Sequence, residues 1–137
     1  MSLESICRAI VTQHHYIAAG VVDLETSNKL ASYHKVGYFT DAYIEMVSIA
    51  AAQMFYSPTI TKIEELIAAQ RNQPFQRHIE EIYFRTAGTH HFICKVPGKA
   101  VVLVVVTPIH ADRDSGWDVT KAQLEHIAPY CPDAVKA

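Results

Sequence analysis

The chain has 137 residues, 50% of them hydrophobic, with 12 Lys and Arg against 14 Asp and Glu and a formal net charge of −2. That length is one domain's worth and enough to bury a core without staples. Its scattered basic residues exclude an electrostatic footprint for nucleic acid and a polybasic membrane patch, and three cysteines without framework spacing point to a reducing, cytoplasmic setting.

The elements follow in chain order. The N-terminal MSLESICRAI has no charged start followed by a long apolar stretch, so no signal peptide is expected. Leu3, Ile6, Cys7, Ile10 and Val11 recur with helical spacing behind Ser2, a good N-cap, and predict a first helix. Tyr16–Val22 predicts a buried strand, Asp23–Lys29 a polar turn, and Leu30–His34 a shorter returning strand. Gly37–Thr40 leads into the most unusual segment, Asp41–Tyr56, with Thr40 as N-cap.

That segment reads DAYIEMVSIAAAQMFY. On a helical wheel Asp41, Glu45 and Ser48, with Ala52, form one narrow stripe, and Gln53 is the lone polar residue elsewhere. A surface helix needs an apolar face of only about 100°. This one has more than twice that, so it is expected to bury two sides: one on its own sheet, the other on a second partner.

Ser57-Pro58 ends or bends the helix. Thr61 and Glu64 have capping-box spacing for another helix over Lys62–Gln70, with Ile63, Leu66 and Ile67 as its apolar stripe. Asn72–Gln76 is loop. His78–Thr86 carries charge on both faces, as an edge strand does. After a turn at Gly88, His90–Val96 places Phe92, Cys94 and Val96 on one face and His91, Ile93 and Lys95 on the other. Pro97-Gly98 turns the chain into Ala100–Val106, an apolar strand expected to be covered on both sides and far shorter than the roughly 20 residues of a membrane helix. A polar loop, His110–Gly116, precedes the last helix, where Ser115 and Asp118 have capping-box spacing and Trp117, Leu124 and Ile127 pack inward. Pro129 and Pro132 end it.

Hairpins make the first two strands neighbours, and likewise the last three. Pairing the two most apolar strands at the centre gives a five-stranded antiparallel sheet of order 2-1-5-4-3. The fold class is α+β. The long central helix and the short extra helix lie with the N- and C-terminal helices around the sheet, in a single domain spanning residues 1–137.

Chemistry-bearing groups point to no catalytic centre. His14-His15 and His90-His91 sit in adjacent strand positions, which diverge. His90 and Cys94 share a face but are four residues apart, too far for one ion, so no metal site is expected and the histidines read as surface or strand-end residues. Cys94 and Cys7 fit small core residues better than nucleophiles, and Cys131 is expected to be exposed without activation. Glu80-Glu81 is solvated edge charge, and Asp112, Asp114 and Ser115 form a helix-capping loop rather than a cation site. Nucleotide and hydrolase motifs are lacking, so no cofactor is expected.

Gly20-Val-Val-Asp-Leu-Glu-Thr, the alanine-rich helix Ala42–Phe55, Glu80-Glu-Ile-Tyr-Phe-Arg, Val101–Val106 and the polar loop before the last helix together resemble the Roadblock (dynein light chain) family of the profilin-like group. The resemblance spans nearly the whole chain and rests mainly on hydrophobic pattern. It implies a non-enzymatic adaptor or regulator, homodimeric or heterodimeric. Family dimers join third strands edge to edge and stack the long helices, and some family members regulate Ras-like GTPases. The implied partners are therefore a second copy of the chain and a small GTPase or other protein, with no nucleic acid or membrane. Ser57–Pro74 is longer and more helical than the family's usual connection. The candidate interface residues are Tyr43, Met46, Val47, Ala50, Ala51 and Met54 on the long helix, and Glu80, Ile82 and Phe84 on the edge strand. The alternative is a PAS-like small-molecule sensor, which also orders two strands, helices, then three strands. A sensor needs an internal pocket of about 300–1,000 Å³ against the sheet. An adaptor needs a flat apolar outer face, and Ala50-Ala51-Ala52 favours close helix contact.

Overall fold

The computed structural model describes residues 2–37 and 40–133, without the side chain of Asp41; Tyr38 and Phe39, in the stretch leading to the long helix, lie outside the described residues. The order is α1 (Leu3–His14), β1 (Ala18–Asp23), β2 (Lys29–His34), α2 (Asp41–Tyr56), α3 (Pro58–Gln70), β3 (Glu81–Arg85), β4 (Thr89–Lys95), β5 (Val101–Pro108) and α4 (Arg113–Ile127), then a 3₁₀ turn at Ala128–Tyr130. The five strands form one antiparallel sheet of order β2-β1-β5-β4-β3, as the hairpin argument requires.

Local chemistry explains most boundaries. Ser2 caps α1 in a reciprocal box with Ser5. Asp23 Oδ1 accepts from the amides of Glu25 and Thr26 and shapes the β1–β2 turn. Thr40 caps α2, its hydroxyl accepting from the Tyr43 amide. Every residue of β5 from Val101 to Thr107 is buried, because helices cover both faces of the sheet centre. On one face Ile6, Ile10 and Val11 of α1 and Ile127 of α4 pack with Phe92, Leu103 and Val105, and Trp117 and Leu124 pack against that cluster. On the other, Ala51, Ala52 and Phe55 of α2 pack with Ala18, Val22, Ile93, Val102 and Val104.

The structure corrects several expectations. The narrow stripe of α2 does not share one environment: Glu45 is exposed, but Ser48 and Ala52 are buried, and the Ser48 hydroxyl is satisfied by donating to the Ile44 carbonyl. The extra helix begins at Pro58, not Lys62, because Ser57 caps it and proline suits the first helical turn. Thr61 and Glu64 are thus inside the helix and form no capping box. Its apolar stripe is also reversed. Ile63 and Leu66 are 48% and 53% exposed, while Glu64 is 2% exposed. Glu64 is tolerated there because its carboxylate accepts from Arg77 Nη1 (3.2 Å) and from the His78 amide (2.5 Å), so α3 grips the segment that leads into β3. Arg77 also donates to Thr61 Oγ1 at 2.7 Å and lies over the Tyr56 ring. The edge strand accordingly starts at Glu81 rather than His78.

At the last helix, Asp112 is the N-cap in place of Ser115, accepting from the Ser115 amide and hydroxyl, both at 2.8 Å. These bonds hold the Asp112 carboxyl below its ordinary pKa. Gly116 therefore sits within α4, and its position is forced. A Cβ there would lie 2.5 Å from Cζ of Phe92, a fully buried ring. Gly116→Ala is expected to lose about 1–2 kcal/mol: overpacking costs up to about 3 kcal/mol, and better helix propensity returns about 1 kcal/mol. Urea denaturation checks it, with Gly88→Ala, where nothing lies within 4 Å of the new Cβ, as the control expected to stay near wild type. Cys131, expected at the surface, is buried and donates its S–H to the Ile127 carbonyl.

Candidate functional site

The distinctive surface lies on the α2 side of the sheet. Helix α2 covers β1 and β5 but leaves the outer strands β4 and β3 open beside it. The outcome is a groove of about 350 Å³ walled by Tyr43, Val47, Ala50, Ala51 and Met54 of α2 and floored by Phe84, Thr89, His91 and Ile93. Its surface is mostly apolar carbon. Above it, the outward face of α2 presents Tyr43 (45% exposed), Met46 (64% exposed) and Ala50, with no charge among them. Among the described residues this is an uncharged, mainly apolar helix face, with Gln53 as its exposed polar residue, continuous with an apolar groove, and monomeric proteins seldom leave such a surface open.

The groove ends at β3, the terminal strand of the sheet. Its alternation is fixed from behind. Tyr83 points to the α4 side, packing among Phe92, His90 and Trp117. The Tyr83 hydroxyl lies 2.8 Å from His90 Nδ1, and His90 Nε2 lies 3.0 Å from the Ile109 carbonyl. A carbonyl only accepts, so Nε2 carries a proton, and Nδ1 pairs with the Tyr83 hydroxyl. With Tyr83 anchored, Ile82 and Phe84 must face the groove side. Phe84 stacks on His91 with ring centroids 4.3 Å apart. The ladder also fixes which amides are free. Lys95 donates to the Glu80 carbonyl and Thr86 to the Thr89 carbonyl, so even-numbered residues of this strand bond to β4. The amides of Glu81, Tyr83 and Arg85 point off the edge.

The expected interface residues are therefore not all together. Tyr43, Val47, Ala50, Met54 and Phe84 line the groove, Met46 stands on its crest, and Ile82 packs at the rim of the α2-side core. Ala51, 2% exposed, reaches only the bottom of the groove wall and packs mainly on this chain's own sheet, on the buried arc with Ser48 and Phe55. Glu80 lies in a different cleft, with Lys95 and Lys121. Sequence reasoning missed His91, Thr89 and Ile93 as groove floor, although the strand alternation already put His91 and Ile93 on one face. It also missed His90, 5% exposed and fully hydrogen-bonded rather than a surface group; its sharing a face with Phe92 was the signal.

Other chemistry stays quiet. Burial pushes the Cys7 and Cys94 thiols up to about 12, far from a reactive thiolate. Among the described residues no three His, Cys, Asp or Glu side chains come together as metal ligands, and no helix is long and apolar enough to cross a membrane. The cavity between α2 and strands β1, β2 and β5 measures about 50 Å³.

No family sequence model and no curated protein matches the chain. Solved structures do. A Roadblock/LC7 domain from Streptomyces avermitilis superposes with a TM-score of 0.69 at 12% identity, covering 95% of this chain and 98% of that one. MglB from Myxococcus xanthus gives 0.67 at 11% identity, covering 92% and 91%. Profilin from Schizosaccharomyces pombe gives 0.60 at 13% identity, covering 93% and 98%. The chain has a fold like that of Roadblock/LC7 domains and profilin.

Proposed function

We propose that this chain is a non-enzymatic homodimeric adaptor or regulator. Two copies join through the outward face of α2 and the free edge of β3, so that each groove receives the other copy's α2. The observation that carries the reading is the continuity of an uncharged helix face, an apolar groove and an unpaired strand edge on one side of the molecule. A two-fold pairing covers all three at once. The edge charges Glu81 and Arg85 suit an antiparallel self-pair, in which opposite charges can come near each other. The Roadblock-like fold supports the same arrangement. It also supports a finer reading, that the dimer's partner is a Ras-like small GTPase, to be tested by nucleotide-dependent co-sedimentation with GTPases of the source organism.

Light scattering coupled to size exclusion tests the dimer, which should weigh about twice 15.3 kDa; a monomer at micromolar concentration sinks it. Hydrogen exchange separates the two contacts. The amides of Glu81, Tyr83 and Arg85 are expected to be slow in the dimer. Fast exchange there in a dimeric protein leaves only α2 as the interface. Ile82→Pro is a poor probe of this pairing, because the Ile82 donor faces β4. The cavity under α2, about 50 Å³, is several-fold below the 300–1,000 Å³ or so that a ligand needs, so a sensor would have to use the groove of about 350 Å³ that the second copy fills in the dimer.

A further inference from the structure

We infer that His91 makes self-association of this chain acid-sensitive, because its neutral ring is the floor of the groove that a second copy fills. The inference rests on the homodimer proposed above and concerns how that contact is regulated. His91 lies flat against Phe84, half-buried, with its Nδ1 3.4 Å from the Thr89 hydroxyl. The groups facing it from the surrounding elements are Tyr43 of α2, Thr86 and Thr89 of the β3–β4 turn, Phe84 of β3, Ile93 of β4 and Val106 of β5. None is a carboxylate, so among the described residues nothing in the groove compensates an imidazolium. Glu45, the nearest acid of α2 in sequence, stands roughly half a turn around the helix from the groove-side Tyr43 and Met54. His90, the adjacent residue on β4, points to the opposite face, toward Tyr83 and the Ile109 carbonyl, and offers no negative charge.

Burial, and secondarily His90, already hold the His91 pKa below the ordinary histidine value in the single chain. Covering the groove removes the remaining water and lowers it further. The separated chain therefore takes up the proton first as pH falls. Protonation drains the dimer, and above the separated chain's pKa the contact is at full strength. With one His91 per copy, up to two protons are taken up on dissociation, so Kd rises by as much as about a hundredfold per pH unit at the steepest point.

Sedimentation velocity of the intact chain at about pH 7.5 and about pH 5.5, in wild type, His91→Phe and His91→Gln, tests this across the range in which histidine titrates. Far-UV circular dichroism confirms that each sample is folded. A wild-type Kd at least about tenfold weaker in acid, with the response lost in the folded His91 variants, supports the inference. A wild-type dimer whose Kd is unchanged overturns it and leaves the homodimer standing. An acid response that survives in the variants also overturns it, since another group then carries the proton. A wild type that is monomeric at the higher pH removes the homodimer, and the inference with it.

Discussion

Arg77→Ala is expected to cost about 3 kcal/mol of folding stability, the lower end of what breaking a buried ion pair costs. The reason is asymmetry between the partners. Arg77 is 26% exposed and water reaches it, but the Glu64 side chain is 3% exposed. Removing the arginine leaves a carboxylate inside α3 with the His78 amide as its remaining hydrogen-bond donor and Lys95 as the nearby cation. It also strips the cation from the Tyr56 ring and a donor from Thr61. Thermal unfolding should fall by about 10 °C for a domain of this size. The double replacement Glu64→Leu with Arg77→Met separates charge burial from lost packing. It should be more stable than the single Arg77→Ala, because no buried charge remains. A single substitution within about 0.5 kcal/mol of wild type would show that solvent already screens the pair.

The second large effect is on assembly. Ala50→Glu is expected to raise the dimer Kd by at least about a hundredfold while leaving the single chain folded. Ala50 is exposed on α2, and a solvated glutamate in a helix costs under about 0.5 kcal/mol there. In the proposed dimer the same position lies at the closest approach of two helices. A carboxylate in such a place loses its water and finds Met46, Gln53, Met54 and their copies, none of them a cation. That penalty, about 3 kcal/mol, is enough for the fold-change. Sedimentation equilibrium reads the mass and circular dichroism the fold. A variant that remains dimeric at micromolar concentration would place the contact elsewhere on the chain.

The sheet order was legible because two runs, Tyr16–Val22 and Ala100–Val106, carried much more apolar character than their neighbours, and hairpin turns left few other ways to connect them. The over-wide apolar arc of α2 was legible for the same reason. What pattern could not supply was orientation. A helix with apolar residues nearly all round has too narrow a polar stripe to mark the outside, so the sequence left open which arc faces outward; small residues such as Ser48 and Ala52 pack close to a sheet, and a serine in a helix satisfies itself on the preceding turn. Helix α3 misled for the opposite reason. Its stripe of Ile63, Leu66 and Ile67 has ordinary core spacing, but a long-range pairing with Arg77 and the His78 backbone decides which way it turns. Gly116 was read as loop because glycine disfavours helices. Its presence is explained only by the Phe92 ring across the interface, which no local rule contains.

The antiparallel ladder that joins Ala18 to Val106 and Asp23 to Val101 places the last strand to leave the ribosome at the centre of the sheet. The first hairpin, β1–β2, thus emerges long before the strand that completes it. Until then α2 has only half a sheet to lie on, and its apolar surface stays in water. Closing so long a loop adds little to the equilibrium cost, since loop entropy grows only with the logarithm of length, but it slows the search for the native pairing. The local β1–β2 and β3–β4 hairpins can form first and wait for β5 to join them. A chain truncated before Ala100 should then be aggregation-prone and dependent on chaperones, whereas the full chain seals itself in one late step.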